Sequence, residues 1–275
     1  MSVINKINTT LSSPLLVLGI LFAPTLSAGQ LQNELLKVAD KKASGAYVRT
    51  RFLQAMKTPI NPKATKNVLI IGDSHAQDFF NAVLENNYLK NYKITTRYIP
   101  TRCQIYLGDK TAQYIAAKDK ALCEKSDNLS QAKDAISKAD LIILASKWKK
   151  WAAKELPQTI KNMQLAPQKK LVVIGVKSFG KITIRKYLRM PEDKLRHLRN
   201  PIDGNQNEIN EIMRKSLNTG IFVNTHQLVC GTSPTCPVFT NNLKLISFDG
   251  GHLTKNGAQH IGKILFQSPV LRYLK

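Results

Sequence analysis

Short apolar runs alternate with longer stretches of mixed polarity along most of this chain. Val68–Ile71, Leu141–Ala145 and Leu171–Val176 are runs without a polar residue, except for Gly175 in the last, as expected of strands buried on both faces of a parallel sheet. Ile94–Ile99 is β-branched and aromatic and reads as a strand, as does the brief Ile221–Val223. Between them lie helix patterns: Phe79–Leu89, a largely helical stretch from Thr111 to Lys138 with breaks expected near Asn128 and Ser130, Trp148–Met163, Asn205–Leu217 and Lys255–Phe266. Leu243–Phe248 reads as strand or loop. Strand and helix in this alternation predict an α/β fold, a three-layer α/β/α sandwich about a mostly parallel sheet. Leu31–Met56 reads as a helical lead, and two prolines within Thr58–Lys66 mark a linker. The domain organisation expected is therefore 1–28 as a targeting segment, 29–66 as lead and linker, and 67–275 as the main domain.

Composition changes the picture in two places. Forty-one Lys and Arg against eighteen Asp and Glu leave a formal charge of +23 at pH 7, which favours an anionic partner. The excess is concentrated between Lys147 and Arg199, where fifteen basic and three acidic residues give +12. Second, Pro14–Ala23 is an apolar core of signal-peptide length followed by small residues at Ser27, Ala28 and Gly29. Export is expected, to the periplasm or beyond the cell, with an uncleaved N-terminal anchor as the alternative. Export and the lack of any nucleic-acid motif argue against nucleic acid as the partner. Four cysteines suit an oxidising compartment: Cys230 and Cys236 flank a turn-rich loop that a disulfide closes, which leaves Cys103 and Cys123 as the second pair. Neither pair has C-x-x-C spacing, so no metal site is expected there.

The chemistry sits at the two ends of the main domain. Ile71-Gly-Asp-Ser-His-Ala76 leaves the first buried strand, and Phe248-Asp-Gly-Gly-His-Leu-Thr254 precedes the last helix. In an open α/β sheet, ligands bind beyond the carboxyl ends of the strands, where Ser74 falls. A serine needs a base to take its proton, and Asp249 with His252 three residues on supplies the orienter and base pattern of a triad. The rival reading of Asp73-Ser-His75 is a metallophosphoesterase motif of the calcineurin-like type. It requires further G-N-H-[DE] and G-H-x-H ligand blocks, which this chain lacks. His75, His197, His226 and His260 read as structural.

Taken together, Gly72-Asp-Ser-His75, Asp249-Gly-Gly-His-Leu-Thr254 and Gly257-Ala258 resemble the SGNH (GDSL-like) hydrolase superfamily, and more closely the SGNH modules associated with bacterial polysaccharide O-acyltransferases. The resemblance covers roughly residues 67–266. It implies a flavodoxin-like sheet, Ser74 as nucleophile, His252 as base, Asp249 as its orienter, and acyl transfer through an acyl-serine without metal or organic cofactor. The wider superfamily carries an oxyanion-hole Asn after the corresponding strand; here the chain reads Ala145-Ser-Lys-Trp148, and a Trp-containing block fits the acyltransferase-linked branch. The oxyanion candidates are then the backbone N–H of Ser74 and a group in Thr101–Gly108, with Gly108 as the position expected.

Lys147, Trp148 and Trp151 are candidates for a substrate lip, with aromatics packed inward at a helix start as the competing reading. The substrate expected is an anionic glycan or lipopolysaccharide, and a membrane acyltransferase is the partner expected to supply acyl groups. A non-catalytic polysaccharide-binding or assembly subunit on the same fold is the alternative function. The intact Ser, Asp and His argue against it.

Overall fold

The computed structural model describes residues 28–60 and 66–275. The apolar segment read as an export signal, and positions 61–65 of the linker, lie outside the described residues. Two helices, α1 (Ala28–Ala39) and α2 (Lys41–Ala55), form the stretch expected as a helical lead. Asp40 separates them because its carboxylate accepts the Lys42 and Ala43 N–H groups and caps a new helix.

The main sheet follows the alternation read in the sequence: β1 (Asn67–Gly72), α3 (Ser74–Glu85), β2 (Lys93–Tyr98), β3 (Leu141–Ala145), α4 (Lys150–Asn162) and β4 (Lys170–Ile174). Next come β5 (Arg199–Pro201), α5 (Gly204–Ser216), β6 (Phe222–Val223), β7 (Thr235–Pro237) and α6 (Lys255–Leu265). Five strands pair in parallel in the order β2-β1-β3-β4-β6. Counted within this sheet, that is the 2-1-3-4-5 order of flavodoxin-like folds, with its switch point between β1 and β3.

The strand residues divide cleanly between two cores, as a period of two requires. Val68, Ile70, Leu141 and Ile143 pack with Phe52 of α2, Phe79, Phe80 and Val83 of α3, and Ala258, Ile261 and Leu265 of α6. Leu69, Ile71, Ile142 and Leu144 face the other way onto Ala152 and Leu156 of α4 and Ile209 and Met213 of α5. Burying each such aliphatic side chain contributes about 1.5–3 kcal/mol, so both faces hold β1 and β3 at the centre of the sheet. A third cluster joins Leu31 and Leu35 of α1 to Tyr187, Leu195, Val238 and Phe239.

Three expectations are refined. The stretch from Thr111 to Lys138 is helical in short pieces, Thr111–Tyr114, a 3-10 turn at Ala117–Asp119, Lys120–Lys125 and Lys133–Lys138, with the expected break around Asn128 and Ser130. It carries too few apolar positions to bury a continuous face, and the Cys103–Cys123 bridge pins its middle to the loop after β2. The helix expected from Phe79 begins five residues earlier, at Ser74, because Asp73 caps it by accepting the His75 N–H. Leu243–Phe248 is loop with isolated bridges, Phe239 to Leu245 and Ser247 to Leu253. The antiparallel pair β5–β7 was not foreseen: three residues containing proline carry no readable strand period.

Candidate active site

The β1–α3 turn is shaped by contact with β3. Gly72 has φ +152°, and a Cβ there would stand 1.7 Å from the Ala145 carbonyl oxygen, so only glycine lets the chain leave the sheet at this point. Asp73 follows with its side chain fully buried. Its carboxylate accepts from His75 N (2.9 Å), Thr101 Oγ1 (2.8 Å), Ser146 Oγ (2.7 Å) and Lys147 N (2.9 Å). The ends of β1, β2 and β3 are thus gathered on one carboxylate at the switch point. Those donors fill the acceptor sites a carboxylate offers, so Asp73 has no lone pair left for a metal, and the metallophosphoesterase reading loses its first ligand. Sequence reasoning did not assign Asp73 this role. The available signal was hydroxyl residues just past the ends of two other strands, which no pattern along one strand reveals.

Ser74 is the first residue of α3 and is partly exposed. Its N–H lies in the first helical turn, without an intrahelical acceptor and at the positive end of the helix dipole. Among the described residues its hydroxyl makes no hydrogen bond.

The second half of the site is the loop before α6. Asp249 Oδ2 lies 2.6 Å from His252 Nδ1, while Oδ1 accepts the N–H groups of Gly251 (2.9 Å) and His252 (2.8 Å). Partial burial works to raise the Asp249 pKa, but these hydrogen bonds and the imidazole hold it down at about 2. An ionised carboxylate on Nδ1 keeps that nitrogen protonated and leaves the Nε2 lone pair as the basic site. The loop itself is rigidly held: Ser247 Oγ donates to the His252 carbonyl (2.6 Å) and accepts the Gly250 N–H (2.9 Å), and Phe179 N–H donates to the Gly250 carbonyl (2.8 Å).

A buried ion pair joins the two halves. Lys177 Nζ lies 2.7 Å from Asp78 Oδ2 and donates to the Gly251 carbonyl at 2.5 Å; Asp78 Oδ1 accepts the Leu253 N–H at 3.0 Å. The side chains are 8% and 0% exposed. Burial raises the Asp78 pKa, with Lys177 opposing it, and burial lowers that of His75 well below the imidazole range. Asp78 stands four residues after Ser74, hence one turn along the same face of α3. The residue that follows His252 is bonded to that face, which brings the His252 loop to the N-terminal half of α3, the helix that Ser74 begins. Ser74 and His252 are not hydrogen-bonded to each other, a common state of such pairs before substrate arrives.

The remaining site candidates separate. Trp148 is not part of a lip: it is 2% exposed, packs under β3, and its Nε1–H donates to the Ile174 carbonyl at 2.9 Å. Lys147 is exposed and Trp151 partly so. Gly108 is not brought to the serine. Its neighbour Leu107 is tied to Thr159 and Asn162, in the last turn of α4, about 15 Å by helical rise from the end near β1. The Thr101–Gly108 loop turns back down the outer face of α4 to follow its apolar side chains, and only its beginning meets the turn. Cys103 bonds Cys123, and Cys230 is joined to Cys236 with Cα atoms 4.7 Å apart. Among the described residues, His226 with Cys230 and Cys236 sets three ligand atoms within 4.8 Å. Two of these sulfurs are spent in the disulfide and are not thiolates, so the set does not suit zinc.

The family model described as an SGNH domain (fused to AT3 domains) matches residues 42–267. The chain therefore belongs to the SGNH domain family, and that membership supports an enzyme of the esterase or acyl-transfer type. No curated protein matches it.

Proposed function

We propose that this protein is an exported serine O-acyltransferase or acetylesterase acting on an envelope polysaccharide or lipopolysaccharide. The observation that carries the reading is the Asp249–His252 pair docked through Leu253 and Asp78 one turn along α3 from Ser74. In the reaction, Ser74 Oγ attacks an ester carbonyl carbon while His252 Nε2 takes its proton. Negative charge on the carbonyl oxygen meets the Ser74 N–H at the helix start. The C–O bond to the donor alcohol breaks as His252 returns the proton to the leaving oxygen, which leaves acyl-Ser74. A sugar hydroxyl or water then attacks, His252 takes its proton and passes it to Ser74, and the serine is free again. Asp249 holds the Nδ1–H tautomer throughout.

The fusion of related SGNH domains to AT3 domains supports a membrane acyltransferase as the donor of acyl groups. Net charge of +23 supports an anionic acceptor, and two disulfides support an oxidising, extracytoplasmic location.

The test is incubation of the purified protein and Ser74→Ala with p-nitrophenyl acetate, with and without glycan acceptors, followed by intact-mass spectrometry. An acetyl adduct in the parent alone, chased onto glycan, is the expected result. An adduct that only hydrolyses assigns the esterase half of the reading. A parent that neither labels nor turns over any ester leaves a polysaccharide-binding subunit.

A further inference from the structure

Three aromatic rings that the acyl chemistry does not use meet against α4. Trp151, in the first turn of α4, and Tyr114 lie face to face with centroids 4.5 Å apart and 7° between planes. Tyr106, from the loop after β2, stands edge-on to both at 5.7 Å. All three are partly exposed. The Tyr114 hydroxyl donates to Glu155 Oε1 at 2.5 Å, which sets the ring plane and pushes the phenol pKa up to about 12. Tyr114, Lys150, Trp151, Lys154 and Glu155 line a groove of about 470 Å³. Lys150 pairs with Glu208, whereas Lys154 and Lys147 are exposed and make no ion pair among the described residues. Lysines crowd the start of α4 with no acidic residue in its first turn, against the preference of the helix dipole.

A flat aromatic surface, a carboxylate with one oxygen still free and unpaired ammonium groups are what a charged pyranose requires. Its C–H face packs on a ring, its hydroxyls donate to Glu155, and its acid group meets Lys154 or Lys147. We infer that this groove is a saccharide subsite for an acidic pyranose of the acceptor chain. The saccharide's role as acceptor rests on the acyl-transfer reading; its binding does not. Trp151 follows Lys147 by four residues, and Ser146 and Lys147 are bonded to Asp73, so a short stretch of chain ties the groove to the turn that carries Ser74.

The test is titration of the full protein with a hexagalacturonate and, separately, with neutral maltohexaose, followed by tryptophan fluorescence. The chain has two tryptophans, and Trp148 is buried, so a saturable change reports Trp151. The expected result is saturable binding of the acidic hexamer, weaker binding of the neutral one, and a loss of about tenfold or more in Trp151→Ala, read by calorimetry. Trp151→Phe should stay within about threefold and Lys154→Glu should weaken binding several-fold. The double variant Lys169→Glu/Lys170→Glu, at the opposite end of the sheet, controls for general polycation binding. Ser74→Ala should keep the affinity while losing the acetyl adduct, so either reading can fail alone. Parent-like affinity in a Trp151→Ala protein with an unchanged melting temperature, equal weakening by the distal charge reversal, or no saturation with the acidic hexamer would each overturn the assignment.

Discussion

Lys177→Met removes the ammonium that holds the 249–252 loop against α3. In the parent, Nζ meets Asp78 Oδ2 at 2.7 Å and the Gly251 carbonyl at 2.5 Å in a site where Asp78 has no exposure. Methionine fills similar volume but leaves Asp78 with the Leu253 N–H as its remaining strong donor. Breaking a buried pair from one side costs about 3–5 kcal/mol, chiefly the desolvated charge left behind. For a domain of this size that is a fall in Tm of about 6–20 °C. Replacing both partners, Asp78→Asn with Lys177→Met, removes the stranded charge and should recover a large part of the loss. The assay is urea and thermal unfolding of the parent, both single variants and the double variant, with coupling of at least about 2 kcal/mol expected from the cycle. Additive single effects, or a Lys177→Met cost under about 1 kcal/mol, would refute the claim that this pair acts as a unit.

Acid should act on the site through Asp249. Its folded pKa of about 2 lies below the usual carboxylate value of 3.8, so its stabilising contribution is complete above about pH 4 and lost as pH falls toward 2. The Tm of Asp249→Asn should therefore decline less steeply than the parent's across that window, and at pH 7 its ester turnover should drop about 10²–10⁴-fold through loss of the tautomer. Gly72→Ala should yield no soluble folded protein, judged by expression and circular dichroism, because a methyl group 1.7 Å from the Ala145 oxygen cannot be relieved without parting β1 from β3. Replacing Cys103 and Cys123 by serine opens a loop of 20-residue separation and should cost about 3 kcal/mol, measured by urea unfolding under oxidising conditions.

The local pattern was enough to place the central strands and the helices that cover them. Val68–Ile71 and Leu141–Ala145 are so uniformly apolar that they fit nowhere except a sheet buried on both sides. The pairing of Asp249 with His252 and the place of Ser74 in the turn after β1 were also legible, because each lies in a short motif whose spacing is set by one turn or loop. The Asp249–His252 hydrogen bond spans three residues and needs nothing else. Tertiary structure alone decided what happens across the sheet. Asp73 becomes the anchor of three strand ends only because β1 lies between β2 and β3, and Asp78 and Lys177 meet across 99 residues. Trp148 and Trp151 look alike in sequence, yet the start of α4 buries the first under β3 and leaves the second beside Tyr114. Gly108 was misplaced for the same reason: the direction of a loop depends on the surface it packs against, and that surface is formed by residues the loop's own sequence does not contain.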